Sequence, residues 1–419
     1  MYGVGTGCFG TLAASHWFQL SQGSVIGIWA ERVLHILVTK AAIVEIPKST
    51  TKHHLLPAMF RGLLSVCLAT TVLSTWPLWQ ARDFPPLLPV ADFWQCNLGW
   101  PLLAACGLLA VLPRLGLATC WIGFTLAMLL DQTRIQPQVL SMLMLSLATI
   151  NWQPGVLVAR ASLVSLWLFA GIHKLISPAY YQFFVPWLLG PEWDSAAGVA
   201  VAASLALGEI ALGIGCLVPA TRRLVAFGGV LLHLAALVLL SPIGLSWNSA
   251  VWPWNLALAA ASLAIVLPWR GWAMGECWQE SPGWVKAWAV GLLVMPMGYY
   301  VGVVDAYLAG CVYAYNTPRA FICTPFNRTE VGGLDKRWNV PLPPAPRLFK
   351  ALFLQVGRPG TWVEIEDPRW FCGGTQSWEW QQDRSGPPAL RPKKAVRAGP
   401  PINFDRPPKL NADSVDPES

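Results

Sequence analysis

Charge is scarce in this 419-residue chain: Asp, Glu, Lys and Arg together make up 12% of it. Against that, 54% of the residues are hydrophobic and the mean hydropathy is +0.46. A soluble domain carries roughly 25% charged residues, so a water-facing globular surface of this size is excluded. No Cys-x-x-Cys pair occurs among the ten cysteines, which removes a thioredoxin-type redox site and a zinc knuckle. Phosphate loop, nucleophile elbow and His-Glu-x-x-His helix are all missing, so we assign no metal site. The net charge of +7 is spread over loops and tail with no interleaved aromatic platform, which argues against nucleic acid as a partner. Met1 to Gly10 has no basic stretch ahead of an apolar core, so no signal peptide is read there.

What is abundant is tryptophan, 24 residues, placed largely at the ends of apolar runs: Trp76 and Trp79, Trp100, Trp152, Trp187 and Trp193, Trp247, Trp252 and Trp254, Trp269 and Trp272. Indole prefers the headgroup layer, half buried with its N–H wet, so these positions mark where segments leave a bilayer. Between them we read spans at Leu55–Leu78, Leu98–Leu112, Leu115–Leu130, Val139–Ile150, Val156–Ile176, Ala196–Val218, Leu224–Leu240, Ala250–Leu267 and Val285–Leu308. The second to fourth are short for a hydrocarbon layer of ~30 Å. The fold class that follows is an all-α polytopic membrane protein, a helical bundle of eight or nine transmembrane helices with a small C-terminal soluble region. The lipid bilayer is its first partner, and the residues name no protein partner.

Four regions divide the chain. Residues 1–53 form an N-terminal juxtamembrane segment in which Ile26 to Val44, carrying Glu31, Arg32, His35 and Lys40, suits an amphipathic surface helix. Residues 54–308 are the transmembrane domain. Residues 309–383 are a small soluble region, with Trp362 to Ile365, Trp370-Phe371 and Trp378–Trp380 as short-strand candidates. Residues 384–419, rich in Pro and Lys/Arg, read as a disordered tail whose basic stretch Arg391 to Arg397 is more a solvated run than a lipid contact. A cytoplasmic N-terminus would place Lys48, Lys52, Arg61, Arg114, Arg222, Arg223, Arg270 and Lys286 inside, in line with the positive-inside bias. Nine spans would then put the C-terminal region outside the cytoplasm; eight would not. There, Cys311, Cys323 and Cys372 could supply one disulfide, and Asn327-Arg-Thr is a glycosylation sequon that matters only in a secretory compartment.

Ionisable residues inside the spans carry the functional signal. A charge in hydrocarbon costs from about 2.5 to well over 10 kcal/mol, depending on snorkelling and water. Yet Arg160, Lys174, Glu209 and His233 all lie within three consecutive runs. Arg160, Val164, Trp167, Gly171 and Lys174 share one helical stripe; Gly198, Ala202, Ala206, Glu209 and Gly213 share another, mostly of small residues. Counted from their common loop, Glu209 and His233 sit at the same depth, roughly 13 Å in at 1.5 Å per residue. Arg160 is some 6–8 Å shallower by the same rise, within reach of a carboxylate. This predicts an Arg160–Glu209–His233 polar cluster, with Lys174 separate at the far mouth. Buried ion pairs can also fix helix register with no chemistry at all.

The run Arg160…Leu168-Phe169-Ala170-Gly171-Ile172-His173-Lys174-Leu175, then Leu207-Gly208-Glu209-Ile210-Ala211-Leu212-Gly213, Pro219-Ala220-Thr221-Arg222 and His233, resembles the DoxX-like four-helix membrane module. The Ala-Gly-x-x-Lys-Leu segment and the His-bearing helix ahead of Trp252-Pro253-Trp254-Asn255 are similar to the horizontally transferred transmembrane domain (HTTM) family, which includes vitamin K-dependent γ-carboxylases. The likeness covers a core of about 156–268. What it implies is a membrane enzyme or quinone-interacting protein in which Lys174 is the base that deprotonates a hydroquinone, with His233 and Glu209 as proton-handling catalytic groups. The cofactor in that case is a membrane quinone or hydroquinone. The other reading is a non-catalytic membrane scaffold or assembly subunit whose polar residues hold the bundle. The sequence leaves both open, and its criterion is local: as a base, Lys174 must lack a close carboxylate, Glu192 and Asp194 being the nearest in sequence.

Overall fold

The computed structural model describes residues 55–90, 95–150, 152–190, 195–245, 248–267, 274–331, 338–369, 374–381 and 388–393. The amphipathic reading of Ile26 to Val44 falls outside these residues. Among the described residues, six helices are long and apolar enough to cross a membrane: Pro57–Ser74, Pro113–Leu130, Gln153–Leu175, Ala196–Gly215, Pro219–Leu240 and Ser249–Val266. Two shorter apolar helices, Gly99–Val111 and Pro137–Ile150, lie among them.

We label the helices of the bundle α1 (Leu55–Ser74), α2 (Gly99–Val111), α3 (Pro113–Leu130), α4 (Pro137–Ser146), α5 (Gln153–Leu175), α6 (Ala196–Gly215), α7 (Arg222–Leu240), α8 (Trp252–Ala261) and α9 (Gly283–Val294). Proline opens α3, α4 and α5, where its missing N–H is one that the first turn leaves unbonded anyway. The helix expected over Val285–Leu308 is shorter. Pro296 interrupts the helix, which tightens to a 3-10 turn at Met295–Tyr299 and then gives way to turns.

The connections alternate between two ends of the bundle. At one end Arg61 donates to the carbonyls of Ala110 and Thr149 at 3.3 and 3.4 Å, and the rings of Trp152 and Trp284 lie 6.4 Å apart. At the other end the Leu98 amide donates to Trp79 (2.8 Å), Arg134 to the Leu78 carbonyl (2.8 Å) and the Trp252 indole to Leu240 (2.9 Å). Glycine sets two of the close approaches. A Cβ on Gly116 would stand 2.1 Å from the Leu109 backbone nitrogen in the tight α2–α3 hairpin, and one on Gly171 would stand 2.4 Å from the Ala206 carbonyl oxygen. Gly198, Ala202, Ala206 and Gly213 are buried on one stripe of α6, and α5 lies against it.

The C-terminal region is a five-stranded antiparallel sheet in the order β2-β1-β3-β4-β5, with β1 Arg319–Cys323, β2 Arg328–Glu330, β3 Trp362–Asp367, β4 Gly374–Gln381 and β5 Ala389–Pro392. Helix α10 (Pro346–Val356) buries Leu348, Phe349, Leu352 and Phe353 over one face. Val363 and Ile365 of β3 are buried while Glu364 and Glu366 turn to the other face, the period-2 pattern of a strand covered on one side. Strands at Trp362 to Ile365 and Trp378–Trp380 coincide with β3 and β4; Trp370-Phe371 lies outside the described residues. One boundary is corrected. A structureless tail from residue 384 does not fit β5, where Trp380 pairs with Leu390 and Trp378 with Pro392. Four paired residues suffice to hold that strand because Trp378 and Trp380 supply the apolar partners.

Candidate functional site

Helix α5 is the axis of the polar interior. Near its C-terminal end Lys174 donates to both carboxylate oxygens of Glu209 on α6, each at 2.6 Å, and the two side chains remain 10% and 14% exposed. One step back, His173 is fully buried and turned elsewhere: Nε2 donates to the Ala309 carbonyl (3.0 Å), and Nδ1 bonds the Tyr300 hydroxyl. Two turns deeper, the Trp167 indole N–H donates to His233 Nε2 at 2.9 Å, and His233 Nδ1 bonds Asn255 Oδ1 at 3.1 Å. Asn255 Nδ2 is committed to the Val251 carbonyl, so its oxygen faces the ring and His233 must carry its proton on Nδ1. Such an imidazole is neutral, with both nitrogens engaged. Toward the opposite end Arg160 donates from Nε (3.2 Å) and Nη2 (2.7 Å) to the Ile265 carbonyl. Ile265 lies in the last turn of the helix, the π-helical Ser262–Val266 that follows α8, where carbonyls have no intrahelical partner.

The expected Arg160–Glu209–His233 cluster is therefore distributed over three places. Glu209 faces Lys174, His233 is held by Trp167 and Asn255, and Arg160 caps the carbonyl of Ile265. Depth counted from Cα positions misplaced Lys174, for two reasons. Every Cα–Cβ bond of a helix tilts toward its N-terminus, so the lysine stem runs back along α5 toward Glu209. Moreover, α5 stops short of the bundle end: the segment after it packs Tyr180, Phe184 and Val185 on Ala202, seven residues before Glu209 on α6. An aromatic layer thus lies between the ion pair and that end, with Phe184 against Tyr180, Trp187, Tyr313 and Tyr315 at centroid distances of 5.5, 5.8, 6.3 and 5.7 Å. Glu192 and Asp194 lie outside the described residues. No group of three or more His, Cys, Asp or Glu that could hold a metal ion occurs among the described residues.

A second polar centre was not foreseen. Asp131, fully buried after α3, accepts from Arg82 Nη2 (2.6 Å), the Thr133 hydroxyl (2.7 Å) and the amides of Thr133 (3.1 Å) and Leu88 (3.2 Å). Arg134 lies 3.6 Å away and bonds the carbonyls of Leu78, Gln80 and Ala127. Burial pulls its guanidinium below the ordinary arginine range, and Asp131 opposes that. The C-terminal module is seated on this centre. Trp338 lies under the Arg82 guanidinium at 4.4 Å, Gln136 donates to Pro341 (3.1 Å), and Asn339 donates to Ser74 (3.2 Å) and Ser249 (2.6 Å). The buried Asp367–Arg369 pair adds a further tie, Arg369 Nη1 donating to the Tyr299 carbonyl at 2.9 Å. In sequence Asp131 and Arg134 look like ordinary loop charges. The signal that could have marked them is their opposite sign three residues apart in a segment, Asp131 to Gln136, too short to solvate both.

Cys311 and Cys323 are both buried free thiols, so the disulfide drawn from those two is not formed; Cys372 lies outside the described residues. Comparison with family models, curated proteins and solved structures finds no match to this chain. The DoxX and HTTM resemblance therefore rests on its motif residues alone.

Proposed function

We propose that the chain is a nine-span integral membrane protein acting as a non-catalytic scaffold, which seats a β-sheet module rigidly on one end of its bundle. The observation that carries this reading is the closed Lys174–Glu209 pair. A lysine base must give up its proton, and here that would strand the Glu209 charge in a low-dielectric interior. Neutral His233, with both ring nitrogens bonded, is likewise arranged for holding α5, α7 and α8 together. Helices α1 to α9 run in alternating directions, and Arg114, Arg222, Arg223 and Lys286 fall at the starts of α3, α7 and α9. Those starts share one end, so the positive-inside bias supports a cytoplasmic location for it and an extracytoplasmic one for the module.

A second reading, a membrane enzyme or quinone-interacting protein, is favoured by one feature. The Lys174–Glu209 pair keeps some exposure beneath a layer of aromatic rings, where a flat lipid-soluble ring could approach. The charge-free double variant Lys174→Met/Glu209→Leu separates the two. Complementation of a deletion strain by a well-folded double variant supports the scaffold. Loss of the phenotype with folding intact transfers the site to chemistry, and quinol titration of the wild type in proteoliposomes then becomes the direct assay.

A further inference from the structure

Asn327-Arg328-Thr329 is the only Asn-x-Ser/Thr sequence, with x other than Pro, in the chain. The fold places it at the tip of the β1–β2 hairpin. Cys323 pairs with Arg328, which leaves Thr324 to Asn327 as a four-residue turn. That turn closes on Thr324, whose amide donates to the Asn327 carbonyl (2.8 Å) and whose hydroxyl accepts from the Asn327 amide (2.9 Å). Asn327, Arg328 and Thr329 are all exposed, and so is their neighbour Phe326. Asn327 Nδ2 donates to Thr329 Oγ1 at 3.3 Å, so the amide and hydroxyl that define the acceptor sequence are already turned toward one another. The hairpin lies at one edge of the sheet, β2 being its outermost strand.

We infer that Asn327 is a glycan acceptor when the chain is made in a secretory membrane, an inference that rests on the proposed extracytoplasmic placement of the module. In the transfer, Asn327 Nδ2 forms a bond to the anomeric carbon of a polyprenyl-diphosphate-linked oligosaccharide. The bond from that carbon to the phosphate oxygen breaks, the polyprenyl diphosphate leaves with the electron pair, and one amide proton passes to the transferase base. The hairpin tip can accept a bulky polar group because Pro325 to Glu330 are all exposed among the described residues.

The test translates the full chain with endoplasmic-reticulum microsomes and reads gel mobility before and after endoglycosidase. Three chains are compared: the wild type, Asn327→Gln, and Asp413→Thr, which completes a second acceptor sequence at Asn411 in the tail. The expected result is one glycan step on the wild type, none on Asn327→Gln and two on Asp413→Thr. A wild type without glycan beside an Asp413→Thr chain that carries one overturns the inference while leaving the orientation standing. No glycan on any of the three overturns both, since the module would then lie on the cytoplasmic side.

Discussion

Replacing Asp131 is the sharpest perturbation the fold offers. Its carboxylate is fully buried, and the side chains of Arg82 and Arg134 beside it are 8% and 1% exposed. Asp131→Ala leaves two guanidiniums facing a void. Arg134 keeps three carbonyl partners and Arg82 keeps those of Leu78 and Pro85, but neither retains a counter-charge there. Removing one partner of a buried pair costs about 3–5 kcal/mol. Asp131→Asn keeps the shape and one acceptor oxygen but turns an NH2 toward donors, so we expect about 1.5–3 kcal/mol, the range for a hydrogen bond to a charged group. The assay is reversible unfolding in mixed micelles followed by tryptophan emission, with limited proteolysis of the module in parallel. Adding Arg82→Met to Asp131→Asn should recover part of the loss, because it removes the charge left without a partner. Unfolding of Asp131→Asn within about 0.5 kcal/mol of wild type, the ordinary scatter of surface substitutions, would refute a structural role for the buried charge. Strict additivity of the two changes would refute it equally.

Three further outcomes follow from other parts of the molecule. Lys174→Met or Glu209→Gln alone should lower stability by about 2–4 kcal/mol, less than for a fully buried pair, while the Lys174→Met/Glu209→Leu double variant should come close to wild type; unfolding of all three in micelles checks the non-additivity. Truncation after Lys393 should leave the module resistant to protease, whereas truncation after Arg384 deletes β5, uncovers Trp378 and Trp380, and should make the sheet cleavable. Burial pushes the Cys323 thiol up to about 11, so in variants retaining a single cysteine exposed Cys96 should react with maleimide at pH 8 and Cys323 should not. Because the thiolate is the nucleophile, labelling of Cys323 should rise only as pH approaches that value.

Much of the bundle is readable in the sequence because its grammar is local. Apolar length, proline at helix starts and the small-residue stripe Gly198, Ala202, Ala206 and Gly213 each depend on residues close to one another along the chain. Partner choice for the polar side chains depends on three helices at once, and there the count failed. Glu209 and His233 can share a depth and still face different neighbours, because α5 presents Lys174 to α6 and Trp167 to α7. Asn255 was the missing acceptor for His233, but a lone Asn inside an apolar run carries no sequence mark of the histidine it will meet. The end of the helix at Val266 is equally silent, although it leaves free the Ile265 carbonyl that Arg160 bonds. In the module, β3 and β4 were legible through aromatic clusters. The outer strands β2 and β5 are three and four residues long, and only their pairing makes them strands.

His173 and Lys174 show how closely the parts are joined. Adjacent residues on a helix point about 100° apart, so this single dipeptide reaches two different elements. Lys174 holds α6, whose outer face is otherwise among the most exposed in the bundle, with 22% of its span buried. His173 holds Tyr300 and Ala309 in the connector that leads from α9 into the sheet. Tyr299, beside Tyr300, in turn gives its carbonyl to Arg369 and its hydroxyl to the Asn316 carbonyl. The last turn of α5 thus ties both α6 and the connector. The basic dipeptide that resembles a catalytic motif is, in this chain, a joint between the least buried of the six long apolar helices and the connector to the module.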